Sequence, residues 1–267
     1  ARAIYSLTLD KIASREEIMQ DMKEILHTLE KAYEYPIDIE FAINFLEDHT
    51  YKIYVLQCRP FQIKSKFDEF QEPQGLTPQD IILRTSGPII GNGLGGAVDR
   101  IIYVDPTLYS ELPIPERYQV ARTIGKLNHL NEDLKNKTIF LAGPGRWATL
   151  SPSLGVPVSF HEIDTVSIIC EIPEMHNISP DVSLGTHFFN DLVEHDMLYM
   201  ALNPKAETSI YDKLMLSQFP NRLVELLPSA AQYKDLIKVV DGPTVLDQKR
   251  LKIFADPIKQ TAILYLE

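Results

Sequence analysis

Hydrophobic residues near the start of the chain recur three or four positions apart, which is the spacing of one helix face. The pair Ser14 and Glu17 is typical of a capping box at the helix start, and Pro36 is expected to end the helix. The apolar face predicted for this helix consists of Ile18, Met22, Ile25, Leu29 and Ala32.

Two strand-like segments follow the helix. Residues 37–44 alternate between apolar and polar side chains, and residues 51–57 are rich in β-branched and aromatic residues. The polar residues 47–50 between them indicate a turn. The pattern therefore predicts a β-hairpin.

The register of this hairpin follows from its turn. A two-residue turn at 48–49 places Glu40 opposite Gln57 and Asp38 opposite Arg59, so that all four side chains share one face. Carboxylate and amide oxygens suit Mg²⁺, and a guanidinium suits phosphate oxygens. The alternative is a solvent-facing hairpin whose charges only keep it soluble.

A second region begins after a polar stretch at 64–78, which indicates a linker. Its patterns predict strands at 81–83, 101–104, 138–141, 166–172, 197–202 and 262–266. They predict helices at 115–134, 186–194 and 213–227. Interspersed strands and helices indicate an α/β fold of the mixed α+β kind.

Composition excludes several functional classes. The formal net charge of −11 over 267 residues makes nucleic acid or an anionic membrane an unexpected partner. No apolar run approaches the ~20 residues that span a bilayer. The two cysteines, Cys58 and Cys170, are too few for a disulfide framework and are expected to be small buried residues. We expect a cytoplasmic protein.

One glycine-rich segment, Gly91–Gly96, satisfies the G-x-G-x-x-G pattern of dinucleotide-binding proteins. That pattern requires a helix directly afterwards, whereas residues 98–104 are strand-like. A turn between strands is predicted instead.

A second glycine-rich segment follows the strand predicted at 138–141. Gly143, Gly145 and Arg146 offer backbone N–H groups and a guanidinium, which suit a phosphate or carboxylate. The alternative is a tight turn with Trp147 packed on a neighbouring surface.

His187 lies at the start of a predicted helix, where free N–H groups and the positive end of the helix dipole favour a phosphoryl group. The alternative is a histidine that caps the helix or orders a pocket. Three other histidines have no metal-ligand pairing with the cysteines, so a structural zinc site is not expected. These are His161, His176 and His195.

The hairpin resembles the end of the ATP-grasp nucleotide-binding domain of phosphoenolpyruvate synthase and pyruvate phosphate dikinase. That family has a P-x-D-I-E-(F/W)-A strand followed by a (L/V)-L-Q-x-R-P strand. The matching residues are Pro36, Asp38, Ile39, Glu40, Phe41 and Ala42, then Val55, Leu56, Gln57, Arg59 and Pro60. The resemblance implies that Glu40 and Gln57 hold the Mg²⁺ that bridges ATP phosphates. It implies that Arg59 contacts phosphate during catalysis.

The second region resembles a group of bacterial phosphoenolpyruvate-synthase-like proteins. In these, G-P-G-R-W-G-S leads into L-G-I-P-V and later G-(S/T)-H-F-F, which corresponds here to residues 143–158 and 185–189. Ala148 and Thr149 replace Gly and Ser. The context of His187 also loosely resembles the swivelling phosphohistidine domain of phosphoenolpyruvate synthase, which implies a phosphocarrier role.

The resemblance suggests three parts. Residues 1–63 are expected to be the C-terminal piece of an ATP-grasp domain, 64–79 a linker, and 80–267 an accessory α/β domain, for which a swivelling-domain-like architecture is one expectation. The first residue is not Met, and the family's adenine pocket and phosphate clamp lie earlier in its chain. We therefore expect a fragment that is inactive alone and is completed by the remainder of its ATP-grasp domain.

The expected function is part of an ATP-dependent phosphotransferase that uses Mg²⁺ and ATP. Its phosphoryl acceptor is a small molecule that the sequence does not identify. The alternative is a non-catalytic module that binds an anionic metabolite or a partner domain.

Overall fold

The chain forms two units with separate cores. The computed structural model divides them between Gln62 and Ile63, and we call residues 1–62 unit 1 and residues 63–267 unit 2. The residues that it describes are 10–34, 37–48, 50–60, 71–130, 137–175, 182–183, 187–202, 208–242 and 249–267. Helices and several sheets occur together, which confirms the mixed α+β fold class.

Unit 1 consists of two helices and a hairpin. The elements are α1 (Asp10–Ala13), α2 (Glu16–Tyr33), β1 (Ile37–Phe45) and β2 (Tyr51–Pro60). On the apolar face predicted for α2, Ile18 and Met22 are buried. The hydroxyl of Tyr51 donates to Asp21 Oδ2 at 2.6 Å and joins β2 to this helix.

The predicted capping box of α2 is wrong. Arg15 is the N-cap residue and its side chain makes no capping hydrogen bond. The Ser14 hydroxyl donates instead to Lys11 O at 3.2 Å, and the Glu17 carboxylate accepts from Arg15 Nε at 3.0 Å. Both partners of the expected box are thus engaged elsewhere. Helix α2 ends at Tyr33 before a left-handed Glu34, while residue 36 lies outside the described residues.

Unit 2 contains most of the secondary structure. Its strands are β3 (Ile81–Ser86), β4 (Ile89–Ile90), β5 (Leu94–Ala97), β6 (Arg100–Val104), β7 (Ile139–Pro144), β8 (Arg146–Trp147), β9 (Gly155–Val156), β10 (Ile168–Ile172), β11 (Leu198–Ala201), β12 (Ile210–Tyr211), β13 (Ile237–Asp241), β14 (Leu251–Asp256) and β15 (Thr261–Leu266). Its α-helices are α3 (Pro106–Glu111), α4 (Ile114–Asn128), α5 (His187–Glu194), α6 (Lys213–Gln218) and α7 (Leu223–Leu226). Among the described residues, 3₁₀ helices lie at Pro78–Asp80, Phe160–Glu162 and Pro228–Tyr233.

A six-stranded mixed sheet forms the centre of unit 2. Its order is β13-β6-β7-β10-β11-β4, in which the four middle strands are parallel and the two edge strands antiparallel. Strands β6, β7 and β10 are buried at every residue. Parallel strands that are covered on both faces have nearly continuous apolar sequences, and the sequences of these three strands are of this kind.

A five-stranded antiparallel sheet, ordered β12-β3-β15-β14-β5, packs on one face of the mixed sheet. Side chains such as Phe140 and Leu264 meet between the two sheets. On the other face of the mixed sheet, helix residues such as Ile124 and Leu192 join the core. Unit 2 is therefore layered as helices, mixed sheet and antiparallel sheet.

Several predicted elements of unit 2 are confirmed and others are corrected. All six predicted strands and the helix at 186–194 are found with small shifts of their ends. The helix predicted at 115–134 is α4, and residues 131–136 lie outside the described part. The helix predicted at 213–227 is two short helices, because Pro220 cannot continue α6. Strands β13 and β14 were not predicted, and neither were the short strands β4, β5, β8, β9 and β12.

The other expectations concern the glycine-rich turn, the cysteines and membrane spans. Residues 91–93 lie between β4 and β5, so the turn between strands is confirmed there, whereas Gly95 and Gly96 belong to β5 itself. Cys170 is buried and Cys58 half-buried. In the described ranges, no helix is both long and apolar enough to cross a membrane.

Candidate functional site

The hairpin pairs the residues that the sequence places together. Glu40 lies opposite Gln57 and Asp38 opposite Arg59, as predicted. The predicted two-residue turn is wrong, because Phe45 pairs with Tyr51 and the Leu46 N–H donates to Thr50 O at 2.9 Å. The turn end of the hairpin is thus one residue out of the predicted register.

A β-bulge restores the predicted register farther along the hairpin. The pairing shifts between Glu40 and Phe41, where Phe41 faces Val55 and Leu56 is the additional residue. A bulge bends its strand and increases the local twist. Without it, Leu56 would oppose Glu40, and Gln57 and Arg59 would move to the apolar face.

Glu40, Gln57 and Arg59 form a polar cluster on the exposed face of the hairpin. Arg59 Nη2 donates to Glu40 Oε1 and to Gln57 Oε1, both at 3.2 Å. The two oxygens therefore converge on one positive charge. The side chain of Glu40 is 48% exposed and that of Arg59 is 33% exposed, so solvent reaches the cluster.

In this arrangement, a metal ion could take the place of the Arg59 guanidinium beside the oxygens of Glu40 and Gln57. Surface ion pairs contribute only about 0–1 kcal/mol, so the pairing of Arg59 with Glu40 does not tie up the Glu40 carboxylate strongly. A carboxylate and an amide oxygen are ligands of the type that Mg²⁺ prefers. The donor set of Glu40 and Gln57 therefore fits a magnesium ion.

The glycine-rich segment in unit 2 is a packed turn. Gly145 has a φ of +59°, and a Cβ at this position would lie 2.2 Å from Leu154 O. A Cβ on Gly143 would lie 2.8 Å from the ring of Trp147, which is 1% exposed. Packing therefore accounts for both glycines. The anion-binding role of Gly143, Gly145 and Arg146 stays a prediction.

A buried carboxylate fixes the end of this turn, and sequence reasoning missed it. Glu171 lies on β10 and is 1% exposed. Its Oε1 accepts from the Trp147 N–H at 3.0 Å and the Ser183 hydroxyl at 2.5 Å. Its Oε2 accepts from the Ser183 N–H at 2.8 Å and the Tyr199 hydroxyl at 2.7 Å. A single acidic residue inside an apolar strand was the available signal.

Burial raises the pKa of the Glu171 carboxyl group, against the opposing effect of hydrogen bonds from Ser183, Tyr199 and Trp147. The network connects β8, β10 and β11, and it gives each carboxylate oxygen two donors. Burying a charged group costs free energy unless it is hydrogen-bonded. Through these hydrogen bonds, Glu171 stabilises the position of the Gly143–Trp147 turn.

Ala148 follows this turn with a φ of +54°. That left-handed conformation costs roughly 1–2 kcal/mol for a residue with a Cβ, whereas glycine adopts it freely.

His187 is the first residue of α5, as the sequence predicts. Residues 184–186 before it lie outside the described residues, and so does the side chain of His187. Its role as a phosphocarrier stays a prediction. His187 and the Gly143–Trp147 turn belong to unit 2, whereas the polar cluster belongs to unit 1.

Comparison with known protein families matches the first part of the chain. Residues 4–78 match the family model described as pyruvate phosphate dikinase, AMP/ATP-binding domain. No curated protein matches the chain, and no solved structure matches it. The family match includes α2, the hairpin and its polar cluster, so it supports an ATP-binding family for this part of the chain.

Proposed function

We propose that the hairpin of unit 1 supplies metal and phosphate ligands to an ATP site in a phosphotransferase. The observation that carries this proposal is the pairing of Glu40 with Gln57 on an exposed face, inside the segment that matches an ATP-binding family. Glu40 and Gln57 hold Mg²⁺ through their oxygens, and Arg59 contacts the phosphates.

Each residue has a distinct chemical task in this proposal. When bound, Mg²⁺ offsets the negative charge of the ATP phosphates, and phosphoryl transfer depends mainly on positioning and charge stabilisation. Glu40 contributes the negative ligand and Gln57 a neutral one. Arg59 can pair with phosphate in a bidentate manner, which orients the phosphate as well as neutralising it.

The surface of unit 1 supports completion by further elements of an ATP-binding domain. Among its described residues, only Ile18 and Met22 are buried hydrophobic residues. Nine large hydrophobic residues are exposed in the same unit, namely Met19, Leu26, Tyr33, Phe41, Phe45, Leu46, Tyr54, Val55 and Leu56. Exposed apolar surface on this scale is typical of an interaction surface. We propose that the remainder of the ATP-grasp domain covers it.

The test is isothermal titration of Mg-ATP into two polypeptides. One is the 267-residue chain, and the other is a longer polypeptide that also carries the remainder of the ATP-binding domain. We expect the longer polypeptide to bind Mg-ATP and the shorter one not to bind it. Glu40→Gln in the longer polypeptide should weaken binding by at least about 10-fold, because even indirect disturbance of a metal site costs that much.

Matched controls come from the same hairpin. Glu47→Gln changes the same residue type as Glu40→Gln at an exposed turn position. Gln57→Ala should weaken Mg-ATP binding as Glu40→Gln does, and Asn44→Ala, at an exposed position of β1, is its control. Both controls should bind Mg-ATP like the unmodified protein. Equal binding by Glu40→Gln and Glu47→Gln would contradict the metal role, and no binding by the longer polypeptide would contradict the ATP site.

A further inference from the structure

A second cluster of potential metal ligands lies in unit 2, apart from the polar cluster of the hairpin. It consists of His129, His161 and Asp164, which offer ligand atoms within 4.8 Å of one another. His129 Nε2 lies 3.2 Å from Asp164 Oδ1, and His161 Nδ1 lies 3.3 Å from Asp164 Oδ2. The two imidazole rings are 5.3 Å apart between centroids.

The backbone around the cluster is fixed by hydrogen bonds. His129 caps the C-terminus of α4, and His161 lies within the 3₁₀ helix Phe160–Glu162. The Asn128 side chain donates to Glu162 O at 3.1 Å, and the Thr165 hydroxyl donates to Asn128 O at 3.2 Å. These bonds join the two segments on either side of the cluster, so the three ligands are held together by the fold.

The hydrogen bonding of His129 defines its tautomer. Nδ1 lies 2.8 Å from Gly125 O, and a carbonyl oxygen can only accept, so Nδ1 carries the proton. In the neutral imidazole, the Nε2 lone pair then faces a carboxylate oxygen of Asp164. Two acceptors 3.2 Å apart repel unless a proton or a metal ion lies between them. Metal-ligating histidines commonly show this arrangement of the second nitrogen.

The distances fit a transition-metal ion. For zinc bonds of about 2.0–2.1 Å, the edge of a coordination tetrahedron is roughly 3.3 Å long. Each nitrogen lies about one such edge from a carboxylate oxygen of Asp164, His129 Nε2 at 3.2 Å from Oδ1 and His161 Nδ1 at 3.3 Å from Oδ2, so a rotation of the carboxylate is needed for one oxygen to serve with both nitrogens. The negative end of the α4 dipole also lies at His129 and favours a cation.

We propose that His129, His161 and Asp164 bind a divalent transition-metal ion of the zinc class. His129 contributes Nε2, His161 contributes Nδ1, and Asp164 contributes a carboxylate oxygen. Nitrogen ligands select zinc, cobalt, nickel or copper over magnesium, so this site differs chemically from the oxygen site of the hairpin. All three side chains are exposed, which leaves a fourth coordination position open to water or an anion.

The test is titration of the 267-residue chain with Zn²⁺ by calorimetry and with Co²⁺ by visible absorption. We expect saturable binding of one ion per chain, with a cobalt spectrum typical of nitrogen and oxygen ligands in tetrahedral geometry. His161→Ala should weaken Zn²⁺ binding by at least about 10-fold, and so should Asp164→Asn. The His161 side chain is 85% exposed, so its removal leaves the fold intact, which circular dichroism verifies.

Two variants serve as controls. His27→Ala removes an exposed histidine from α2, and Glu47→Gln removes an exposed carboxylate from the hairpin turn. Neither should change the Zn²⁺ affinity or the cobalt spectrum. Saturable binding that His161→Ala and Asp164→Asn retain would overturn the proposal. Absence of saturable Zn²⁺ binding to the unmodified chain at micromolar concentrations would also overturn it.

Discussion

A carboxylate as deeply buried as that of Glu171 depends on the donors around it. Each of its oxygens accepts from one main-chain N–H and one hydroxyl group. The hydroxyl groups of Ser183 and Tyr199 can rotate and accept, but a main-chain N–H can only donate. Glu171 therefore cannot be replaced by its amide without loss, whichever way the amide is oriented.

We predict that Glu171→Gln lowers the free energy of unfolding by about 1–3 kcal/mol, the cost of one unsatisfied buried donor. Tyr199→Phe is the milder comparison, with an expected loss of about 1 kcal/mol, because it removes a donor and leaves none unsatisfied. Chemical denaturation followed by Trp147 fluorescence measures both. An unchanged stability of Glu171→Gln would show that the network contributes nothing.

Comparing the stability of the unmodified chain with that of Glu171→Gln at several pH values tests the direction of the Glu171 pKa shift. Since burial raises the pKa of this carboxyl in the folded chain, the folded state binds more protons than the unfolded state above the ordinary pKa of 4.5. The stability advantage of the unmodified chain over Glu171→Gln should therefore be greatest below pH 4.5 and decrease as the pH rises. An advantage that increases with pH would contradict the direction of the shift.

At the level of elements, the bulge at Leu56 decides which face of the hairpin carries Gln57 and Arg59. In the structure Cys58 lies opposite Ile39, whereas a hairpin without the bulge would bring Cys58 opposite Asp38. Directly opposed residues have the Cα separation that a disulfide requires. A cysteine introduced at position 39 or at position 38 therefore tests which of the two registers the hairpin has.

We predict that Ile39→Cys forms a disulfide with Cys58 under mild oxidation and that Asp38→Cys does not. The other cysteine of the chain, Cys170, is buried in unit 2 and should not compete. Peptide mapping under non-reducing conditions identifies the product. Cross-linking through Asp38→Cys instead would show that the bulge is absent and that Arg59 faces the apolar side.

The hairpin shows how far sequence reasoning reaches. The pairing of Glu40 with Gln57 was predicted correctly, although two details of the prediction were wrong. The turn shifts the register by one residue from the predicted one, and the bulge at Leu56 shifts it back. The adjacent apolar pair Val55 and Leu56 interrupts the alternation and was the available signal. Family motifs locate side chains reliably on a strand, whereas the register also depends on local backbone irregularities.

In unit 2, by contrast, the features that were missed depend on contacts between segments that are distant in the sequence, or on runs too short to interpret alone. Strands β13 and β14 escaped prediction because a run of five or six residues does not distinguish a buried strand from a helix. The cluster of His129, His161 and Asp164 was missed for a related reason. Its first histidine lies 32 positions before the second in the sequence, and only the contact between α4 and the 3₁₀ helix brings them together.

At the scale of the whole molecule, the two units differ sharply in the size of their cores. Unit 1 buries two hydrophobic residues among those described, while unit 2 has two large clusters on either side of its mixed sheet. Burial of apolar area is the main source of folding free energy. Unit 1 is accordingly the less stable part of the chain.

We predict two unfolding transitions in denaturant. The helical circular dichroism signal of α2 should decrease first, and the fluorescence of Trp147, which lies in the core of unit 2, should change at higher denaturant concentration. Ile18→Ala should move only the first transition to lower denaturant concentration. Leu141→Ala, in β7, should lower the free energy of unfolding obtained from the fluorescence transition by about 2–4 kcal/mol. Coincident transitions would contradict separate stabilities.

The ends of the sheets have a consequence for association. Every edge strand of the two large sheets has five residues or fewer, which offers little backbone for another chain to pair with. In the hairpin, by contrast, β1 and β2 run for nine and ten residues, and among the described residues each pairs only with the other. Strand addition, whether by a partner polypeptide or in aggregation, is therefore to be expected at the hairpin and not at the sheets of unit 2.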